Sequence, residues 1–531
     1  MDAVAYGLRR KAWRAMQDSV MKNPSAGDDG GADYDGGAND GRGADDDGGM
    51  KAAANTMPRS AASSPAASSP AVSSSVVSSH APMLPAASSR TIWWHVYPLG
   101  FTGAPIRSDD IAGRRTVHRL TRIIDWLDYL RDLGCDGLLL GPIFQSATHG
   151  YDTVDYYSID SRLGDEDDFR ALARACHAKG VALMLDGVFN HVGIDNPLFR
   201  KELSDVRAGA GSDGADAIGG RLFSIVAKPD GTVDYPVFEG HGDLPEINHD
   251  GAAAADLVGD VMDYWMDRGA DAWRLDAAYA VPAGFWRRVL PGVRARHHDA
   301  WFLGEVIHGD YPTVVQESGM DSVTQYELWK AVWSSLQSGN FYELDWCLKR
   351  HNGFLDHFIP QTFISNHDVT RIASTVGFGS ARLAAVILFT VGGVPSVYYG
   401  DEIAMTGIKE DRLGGDDAVR PEFPERPEDM AMGREAESMR DLYRALIRMR
   451  RDRPWLSSAR TVPVEVDNRR YVYDVVGSAD SDAGDDGRNP GYAGDGGRAG
   501  GENGESLRVT LALDPEPTAT IRDAKGVVLS L

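Results

Sequence analysis

Short apolar runs alternate with amphipathic stretches of helical period between positions 91 and 452. Each run is bounded by glycine, proline or polar residues, and most follow a stretch whose apolar residues are spaced three and four apart. Nearly continuous hydrophobic runs are typical of strands buried on both faces, as in a parallel sheet connected by helices. The eight predicted strands lie in TIWWHVYP, DGLLLGPIF, VALMLDGVFN, ADAWRLDAA, AWFLGEV, DSVTQYE, FIPQTFISNHD and VPSVYYGDE.

Eight such units predict a closed (β/α)8 barrel, the TIM-barrel form of the α/β class. The connection after the third strand, residues 192–248, is rich in glycine and aspartate and too long for an ordinary loop, so we interpret it as an excursion domain over the barrel mouth. The barrel then comprises residues 91–191 and 249–455. Residues 456–531 alternate apolar and polar positions, which is typical of a small antiparallel β domain.

Two biased segments have too little apolar surface to form a core. Residues 1–90 are rich first in glycine and aspartate and then in alanine, serine and proline, and residues 478–506 form a similar insertion in the C-terminal domain. We predict that both are disordered. The chain has 54 basic and 78 acidic residues, a net charge of −24, and these segments hold much of the acidic excess.

Composition excludes several functional classes. The negative charge disfavours nucleic acid and anionic membrane surfaces as partners, and no apolar run reaches the length of about 18 residues needed for a membrane span. Cys135, Cys176 and Cys347 are too few and too far apart for a disulfide framework or a zinc site, so we expect buried free thiols. The N-terminal stretch lacks the apolar core of a secretory signal, which favours a cytoplasmic setting.

Polar residues gather where the predicted strands end. In a barrel these ends carry the ligand-binding face, so Asp276, Glu305 and Asp368 should converge there, with His191 and His367 beside them. A single aspartate at a strand end most often caps the next helix. Five polar strand ends out of eight favour a functional site instead.

Other polar and aromatic residues near these strand ends have simpler explanations. Asp186 is interpreted as a structural anchor of the barrel mouth. Trp93, Trp94 and Trp273 are expected to be core aromatics, since such rings bury a large area.

Three carboxylates, two histidines and an arginine, without a glycine-rich phosphate loop, fit glycoside cleavage best. Arg274 and Asp276 lie on the same face of a strand, so we expect Arg274 to keep Asp276 ionised as a low-pKa nucleophile. Glu305, in the apolar sequence WFLGEV without a fixed cation, is expected to be the general acid with a raised pKa. Asp368 is expected to bond sugar hydroxyls in the transition state.

Four short motifs appear in the order typical of one enzyme family. They are DGVFNH (186–191), WRLDAA (273–278), GEV (304–306) and SNHD (365–368), and a fifth, LPEIN (244–248), ends the excursion. Over residues 91–531 the sequence therefore resembles the α-amylase superfamily of retaining glycosidases and transglycosidases. The resemblance implies a catalytic barrel, an excursion domain after the third strand and a C-terminal β-sandwich.

The resemblance also implies individual roles. Asp276 would form a covalent β-glycosyl intermediate, Glu305 would be the general acid that later activates water, and Asp368 would stabilise the transition state. The sugar at the cleavage position would be bound by five residues: Tyr151 by stacking, Asp152 through hydroxyls, and His191, Arg274 and His367 beside them.

The sequence departs from the family pattern at three places. Tyr279 and Ala280 stand where many α-amylases have lysine and histidine in contact with the leaving-group sugar, so endo action on long-chain starch is not implied. LPEIN matches neither QPDLN of oligo-1,6-glucosidases nor MPKLN of neopullulanases. Asn190 occupies a position where many relatives bind structural calcium, but no carboxylate partner is evident in the excursion, so calcium is left open and no cofactor is required for the chemistry.

The leading hypothesis is a retaining hydrolase of α-glucosidic bonds in maltodextrins or related α-glucosides, with an oligosaccharide or α-glucan as its binding partner. A transglycosylase or sugar isomerase, for example on trehalose- or sucrose-like substrates, remains an alternative because it would use the same intermediate. A non-catalytic barrel is disfavoured since three clustered acids are costly to retain. A metal-dependent hydrolase is disfavoured because the histidines are not spaced as a ligand set.

Overall fold

The computed structural model describes residues 87–107, 114–209, 221–412, 414–477 and 505–531. The predicted disordered segments, 1–90 and 478–506, lie almost entirely outside these residues. Strands are numbered in chain order as β1 (Trp93–Val96), β2 (Gly137–Leu140), β3 (Phe144–Ser146), β4 (Thr153–Ile159), β5 (Ala182–Gly187), β6 (Val226–Ala227), β7 (Val233–Asp234), β8 (Ala272–Leu275), β9 (Trp301–Gly304), β10 (Ser322–Val323), β11 (Gln361–Thr362), β12 (Val394–Tyr398), β13 (Arg460–Val466), β14 (Arg470–Val476), β15 (Ser506–Ala512), β16 (Thr518–Asp523) and β17 (Gly526–Ser530).

Helices follow the predicted helical stretches. Helix α4 begins at a reciprocal capping box, in which the Asp165 side chain accepts hydrogen bonds from the backbone N–H groups of Asp167 and Asp168. The helices are α1 (Pro98–Phe101), α2 (Arg122–Asp125), α3 (Leu127–Leu133), α4 (Glu166–Ala178), α5 (Pro197–Arg207), α6 (Ala252–Met266), α7 (Ala283–Arg296), α8 (Tyr311–Ser318), α9 (Tyr326–Ser338), α10 (Phe341–Phe354), α11 (Ile372–Thr390) and α12 (Arg434–Arg451).

Eight parallel strands form the predicted barrel. Their order is β10-β9-β8-β5-β2-β1-β12-β11, and the two outer strands meet at a parallel bridge between Thr324 and Gln361. Each of the eight predicted strand segments contains one of these strands, which confirms the fold class. Helix α11 is long and apolar enough to cross a membrane by length and composition, but most of it is buried inside the protein, as in a core helix.

Apolar side chains fill the barrel and join it to its helices. One cluster inside the barrel contains Trp93, Leu139, Met184 and Leu303, from four different strands. In a barrel, the side chains that point inward from neighbouring strands pack together in this way. Trp94 and Trp273 are fully buried in the larger cluster that contains the helices, so the expectation that these tryptophans are core residues is confirmed. The three cysteines are buried free thiols, also as expected.

The excursion after β5 is tied back to the barrel by its own backbone. It contains α5, the two-stranded hairpin β6–β7 and a short 3-10 turn at Phe238–Gly240. Bridges from His191 to Glu246 and from Phe223 to Ile247 pair its beginning with its end. This pairing holds the excursion beside the carboxyl end of β5.

The C-terminal domain is one antiparallel sheet of five strands among the described residues, in the order β13-β14-β15-β16-β17. It packs on the barrel helices α10 and α11. The hydroxyl of Tyr471 donates to Asp345 Oδ1 on α10 at 3.1 Å, and the Tyr473 hydroxyl lies 2.7 Å from Thr390 Oγ1 on α11. The sheet therefore lies on the outside of the barrel, away from the strand ends.

Candidate active site

One buried guanidinium connects three carboxylates at the carboxyl end of the barrel. Arg274, on β8, lies 2.6 Å from Asp186 on β5, 3.2 Å from Asp276 just after β8 and 2.9 Å from Glu305 just after β9. Arg274 is only 4% exposed. Asp276 and Glu305 therefore lie at the same end of the barrel and within reach of one side chain, as the sequence predicts.

The expected division of charge between these carboxylates is wrong. Arg274 does not form an ion pair with Asp276 alone, because both of its shortest hydrogen bonds go to Asp186. Glu305 is not free of a cation, since the parallel register of β8 and β9 sets it beside the same arginine. A planar guanidinium with five donors can serve several carboxylates at once.

Asp276 consequently has a raised rather than a lowered pKa. Burial raises the pKa of Asp276 most, and the negative charge of Glu305 has the next largest effect. The charges of Asp186 and Asp368 add to the increase, whereas Arg274 opposes it. The pKa of Asp276 lies well above its ordinary value as a result. Two carboxylates that compete for one cation in a buried site retain a shared proton more readily than isolated ones. Asp276 therefore binds a proton more readily than an exposed aspartate does.

Glu305 is fixed by two donors besides Arg274. The backbone N–H of Ala277 donates to its Oε2 at 3.0 Å, and the Tyr326 hydroxyl donates to its Oε1 at 3.0 Å. Ala277 has φ +46°, a left-handed conformation that costs a non-glycine residue about 1 kcal/mol or more. Asn366 in turn donates to the Tyr326 hydroxyl at 2.9 Å. The carboxylate is therefore held in one orientation.

Asp368 has the opposite electrostatic setting. His367 Nε2 lies 2.8 Å from its Oδ2, and Arg420 donates to its Oδ1 at 2.8 Å. Burial opposes ionisation, but the charges of His367 and Arg420 outweigh it and lower the pKa of Asp368 well below its ordinary value. Its side chain is 35% exposed, so this carboxylate is ionised and faces open space.

Aromatic rings line the same end of the barrel. Tyr151 stacks parallel to His367 with ring centres 5.2 Å apart, and its hydroxyl lies 2.5 Å from His367 Nε2 and donates to Asp186 at 3.1 Å. His191 Nε2 lies 3.0 Å from the Tyr151 carbonyl oxygen, and the His191 ring stacks on Phe238 of the excursion at 4.5 Å. The structure therefore brings together Tyr151, His191 and His367 with the carboxylates.

Asp152 is also near the site but is more enclosed. It is 7% exposed, and its Oδ2 accepts a hydrogen bond from Thr148 at 2.7 Å. Its Oδ1 is buried and has no hydrogen-bond partner among the described residues. Its predicted contact with sugar hydroxyls stays a prediction.

Sequence reasoning missed several residues of this site. Arg420 lies in the long segment after β12, where no periodic pattern marks a position. Tyr326 is the penultimate residue of the predicted sixth strand run, DSVTQYE, so it lies near a strand end, as the carboxylates do. His95, on β1, packs edge-on against His367 with ring centres 5.3 Å apart, and burial followed by the charge of His367 lowers its pKa well below the ordinary value. Tyr97, just after β1, lies parallel to His367 at 6.1 Å.

The neighbourhood of Asn190 gives no support to calcium. Its side-chain amide lies 3.2 Å from His191 Nδ1, and its backbone carbonyl accepts from Ile247 N–H at 3.0 Å. Among the described residues, the group of three potential metal ligands drawn from histidine, cysteine and carboxylates lies elsewhere, at His118, Asp165 and Asp168, where the two aspartates already cap α4. Calcium prefers six to eight oxygen ligands, so a calcium ion at Asn190 stays a prediction from the sequence.

Known proteins are similar to this chain in sequence. Cyclomaltodextrinase of Geobacillus thermopakistaniensis is 31% identical over 339 residues, 60% of this chain and 56% of that protein. Neopullulanase 2 of Thermoactinomyces vulgaris is 31% identical over 370 residues, 67% of this chain and 60% of that protein. The chain thus matches little more than half the length of these relatives.

A solved structure shows a similar fold over more of the chain. The cyclic α-maltosyl-(1→6)-maltose hydrolase of Arthrobacter globiformis, in complex with that sugar, has a TM-score of 0.61 and 25% identity, and the alignment covers 83% of this chain and 98% of the other. A family model described as the alpha amylase catalytic domain matches residues 105–216 and 229–453. Because this match includes Asp276, Glu305 and Asp368 and most of the barrel, the chain belongs to the α-amylase catalytic-domain family.

Proposed function

We propose that the protein is a retaining glycoside hydrolase that cleaves α-glucosidic bonds in maltodextrins or related α-glucosides. The observation that carries this proposal is the pair Asp276 and Glu305, bound to the two arms of one buried guanidinium, with the ionised Asp368 at the same end of the barrel. Retaining glycosidases use a close pair of carboxyl groups on the two sides of the scissile bond. The names of the relatives, cyclomaltodextrinase and neopullulanase, support the substrate class.

In the first step, Asp276 attacks the anomeric carbon while Glu305 gives its proton to the leaving oxygen. The bond from the sugar to Asp276 forms as the glycosidic bond breaks, and the leaving group departs as an alcohol. Burial suits this step, because a buried carboxylate next to Asp186 loses unfavourable repulsion when it becomes an ester. Its charge is consumed by bond formation.

In the second step, Glu305 takes a proton from water, and the resulting hydroxide displaces Asp276 from the sugar. The product keeps the α configuration after two inversions. The Ala277 N–H and the Tyr326 hydroxyl hold the Glu305 carboxylate in place for both proton transfers. Arg274 stabilises each carboxylate when it is ionised.

The remaining residues bind the sugar at the cleavage position. The ionised Asp368 accepts hydroxyl hydrogen bonds that strengthen as the ring flattens towards an oxocarbenium ion. Tyr151 presents an aromatic ring for stacking, and His191, His367 and Asp152 offer polar groups to hydroxyls. We also propose that no cofactor is needed, since the residues present supply every proton and nucleophile in these steps.

A cytoplasmic location is part of the proposal. One relative is described as an intracellular maltogenic amylase, from Bacillus subtilis, and is 28% identical over 352 residues. The three buried free thiols suit a reducing compartment.

Variants of the two proposed catalytic acids test the function. Asp276→Ala and Glu305→Gln should each reduce the release of reducing sugar from maltotriose by about 10²-fold to 10⁴-fold or more, because each removes the nucleophile or the general acid. Folding is checked by thermal unfolding followed by circular dichroism. Full activity of either folded variant would refute the assigned roles.

Product analysis separates hydrolysis from transfer. With wild-type protein at high maltotriose concentration, glucose and maltose as the products would support a hydrolase. Longer or rearranged glucosides as the main products would show a transglycosylase or isomerase that uses the same intermediate.

A further inference from the structure

We propose that Tyr279 and Glu239 form a stop on the leaving-group side of the cleft, which restricts the enzyme to α-glucosides with a short leaving group. The hydroxyl of Tyr279 donates to Glu239 Oε1 at 2.8 Å. This inference rests on the proposed glycosidase function, because it names the substrates that the same site accepts.

The stop joins two separate parts of the fold. Tyr279 lies in the short 3-10 turn Ala278–Ala280 that follows β8, and Glu239 lies in the 3-10 turn Phe238–Gly240 of the excursion. Their hydrogen bond links the barrel wall to the excursion. Both side chains are partly buried.

The link is directly beside the reacting groups. Tyr279 is the third residue after Asp276, and its backbone N–H donates to the Glu305 carbonyl at 3.1 Å. Phe238, next to Glu239, stacks on His191. Because Glu305 protonates the departing oxygen in our mechanism, this contact with Glu305 places the link on the leaving-group side of the cleft.

The Glu239 turn is strained, which indicates that the contact matters. Glu239 has φ +49° and ψ +28°, and Gly240 after it also has a positive φ of +78°. Non-glycine residues in this region cost free energy and gather at functional sites. Burial and then the charge of Glu239 raise the pKa of Tyr279, so the phenol keeps its proton and remains the donor.

A sugar ring cannot pass between these two groups while they are bonded. A ring inserted between them would need a contact of about 3.5 Å on each side, and the two oxygens are 2.8 Å apart. A short leaving group ends before the link, whereas a longer chain must break it. Tyr279 also borders a cavity of about 330 Å³ together with Val281, Pro282 and Val314.

The experiment compares long and short substrates with the full-length protein. The measured quantity is kcat/KM for soluble amylose divided by kcat/KM for maltotriose, in wild-type protein, Tyr279→Phe and Glu239→Gln. Tyr279→Phe removes the donor and keeps the ring, and should raise the ratio about tenfold, the value of one hydrogen bond to a charged group. Glu239→Gln keeps the shape and should raise it less. Tyr342→Phe, an exposed tyrosine on α10, should not change it.

A glycine at position 239 separates the stop from a structural role. Glu239→Gly removes the side chain and relieves the positive φ, so the variant should be at least as thermally stable as wild type and should also raise the ratio. A lower melting temperature with an unchanged ratio would show that the contact only stabilises the excursion and would overturn the proposal.

The outcomes distinguish failure of the proposed stop from failure of the proposed glycosidase function. If wild-type protein cleaves neither amylose nor maltotriose, the proposed function fails. If wild-type protein is active but Tyr279→Phe leaves the ratio unchanged or lowers it, the function stands and the stop is refuted.

Discussion

Asp186 occupies both shortest contacts of Arg274, although it belongs to neither of the proposed proton-transfer steps. It neutralises part of the charge of Arg274 and adds a negative charge beside Asp276. Both effects favour the protonated form of Asp276. At the scale of single residues, Asp186 is therefore a positioning residue that tunes the pKa of the proposed nucleophile, Asp276, through a shared arginine.

Asp186→Asn should shift the pH dependence of the reaction. Asp276 is active when it is ionised, so activity rises as pH passes through its pKa. Removing the charge of Asp186 lowers the pKa of Asp276, so the acidic limb of kcat/KM on maltotriose should move to lower pH by about half a unit or more. Asp467→Asn, an exposed aspartate of the C-terminal domain, is the control and should leave the limb in place. A shift to higher pH would contradict this account.

The left-handed Ala277 shows why a motif alone does not reveal geometry. WRLDAA places Asp276 at a strand end. It does not reveal that Ala277, whose N–H donates to Glu305, has a φ of +46°. Alanine gives no signal for such a conformation, since only glycine, asparagine and aspartate adopt it readily. This detail therefore came from the structure.

At the scale of elements, α12 is held to the barrel by a buried cation that bonds backbone carbonyls. Arg450 donates to four backbone carbonyls, of Phe389, Val391, Gly393 and Leu456, at 2.6 to 3.3 Å. These carbonyls lie at the end of α11, before β12 and after α12, where helix termini leave acceptors unsatisfied. One side chain thus joins three elements.

Arg450→Met should destabilise the fold without touching the site. The carbonyls would lose their donors in a dry environment, at a cost of about 1 to 3 kcal/mol for each one left unsatisfied. We expect the free energy of unfolding to fall by at least about 3 kcal/mol in guanidinium titrations. Arg448→Met, on the exposed face of the same helix, should change it by less than about 0.5 kcal/mol. Equal effects would show that helix propensity, and not the carbonyl contacts, is responsible.

At the scale of the whole molecule, a buried acid pair after β12 links stability to pH. Burial raises the pKa of Glu402 to about 7 and that of Asp401 to about 6. Glu402 accepts hydrogen bonds from the Tyr129 hydroxyl at 3.0 Å and from the Gly400 N–H at 2.8 Å. The folded protein therefore holds protons that the unfolded chain releases near pH 4.5.

Glu402→Gln should flatten the pH dependence of stability. Because the folded pKa lies above the unfolded one, stability is greatest below pH 4.5 and is lost as pH rises towards 7, by about 3 kcal/mol for this group. The variant should lose the pH-dependent part of the unfolding free energy that Glu402 contributes, whereas the part contributed by Asp401 should remain. Unfolding free energies at pH 4.5, 6 and 7.5 measure the slope, with the exposed Glu425→Gln as control. An unchanged slope would exclude Glu402 as its source.

The eight strand runs and the polar residues at five of their ends followed from sequence alone. A strand buried on both faces must be almost uniformly apolar, so its end is marked by the first polar residue, and Asp276, Glu305 and Asp368 stand at such ends. The barrel rule then places them together, because parallel strands of a barrel all end on one side. The motifs added the family.

Only the tertiary structure decided how charge is shared and what closes the cleft. The spacing of Arg274 and Asp276 predicts an ion pair between these two residues alone. The neighbouring strands β5 and β9, however, bring Asp186 and Glu305 to the same guanidinium. The contact between Tyr279 and Glu239 joins residues 40 positions apart across two parts of the fold. The periodicity of a sequence indicates whether a residue faces the core or solvent. The ion pairs and pKa values of a site depend on which side chains are in contact, and the packing of the elements sets those contacts.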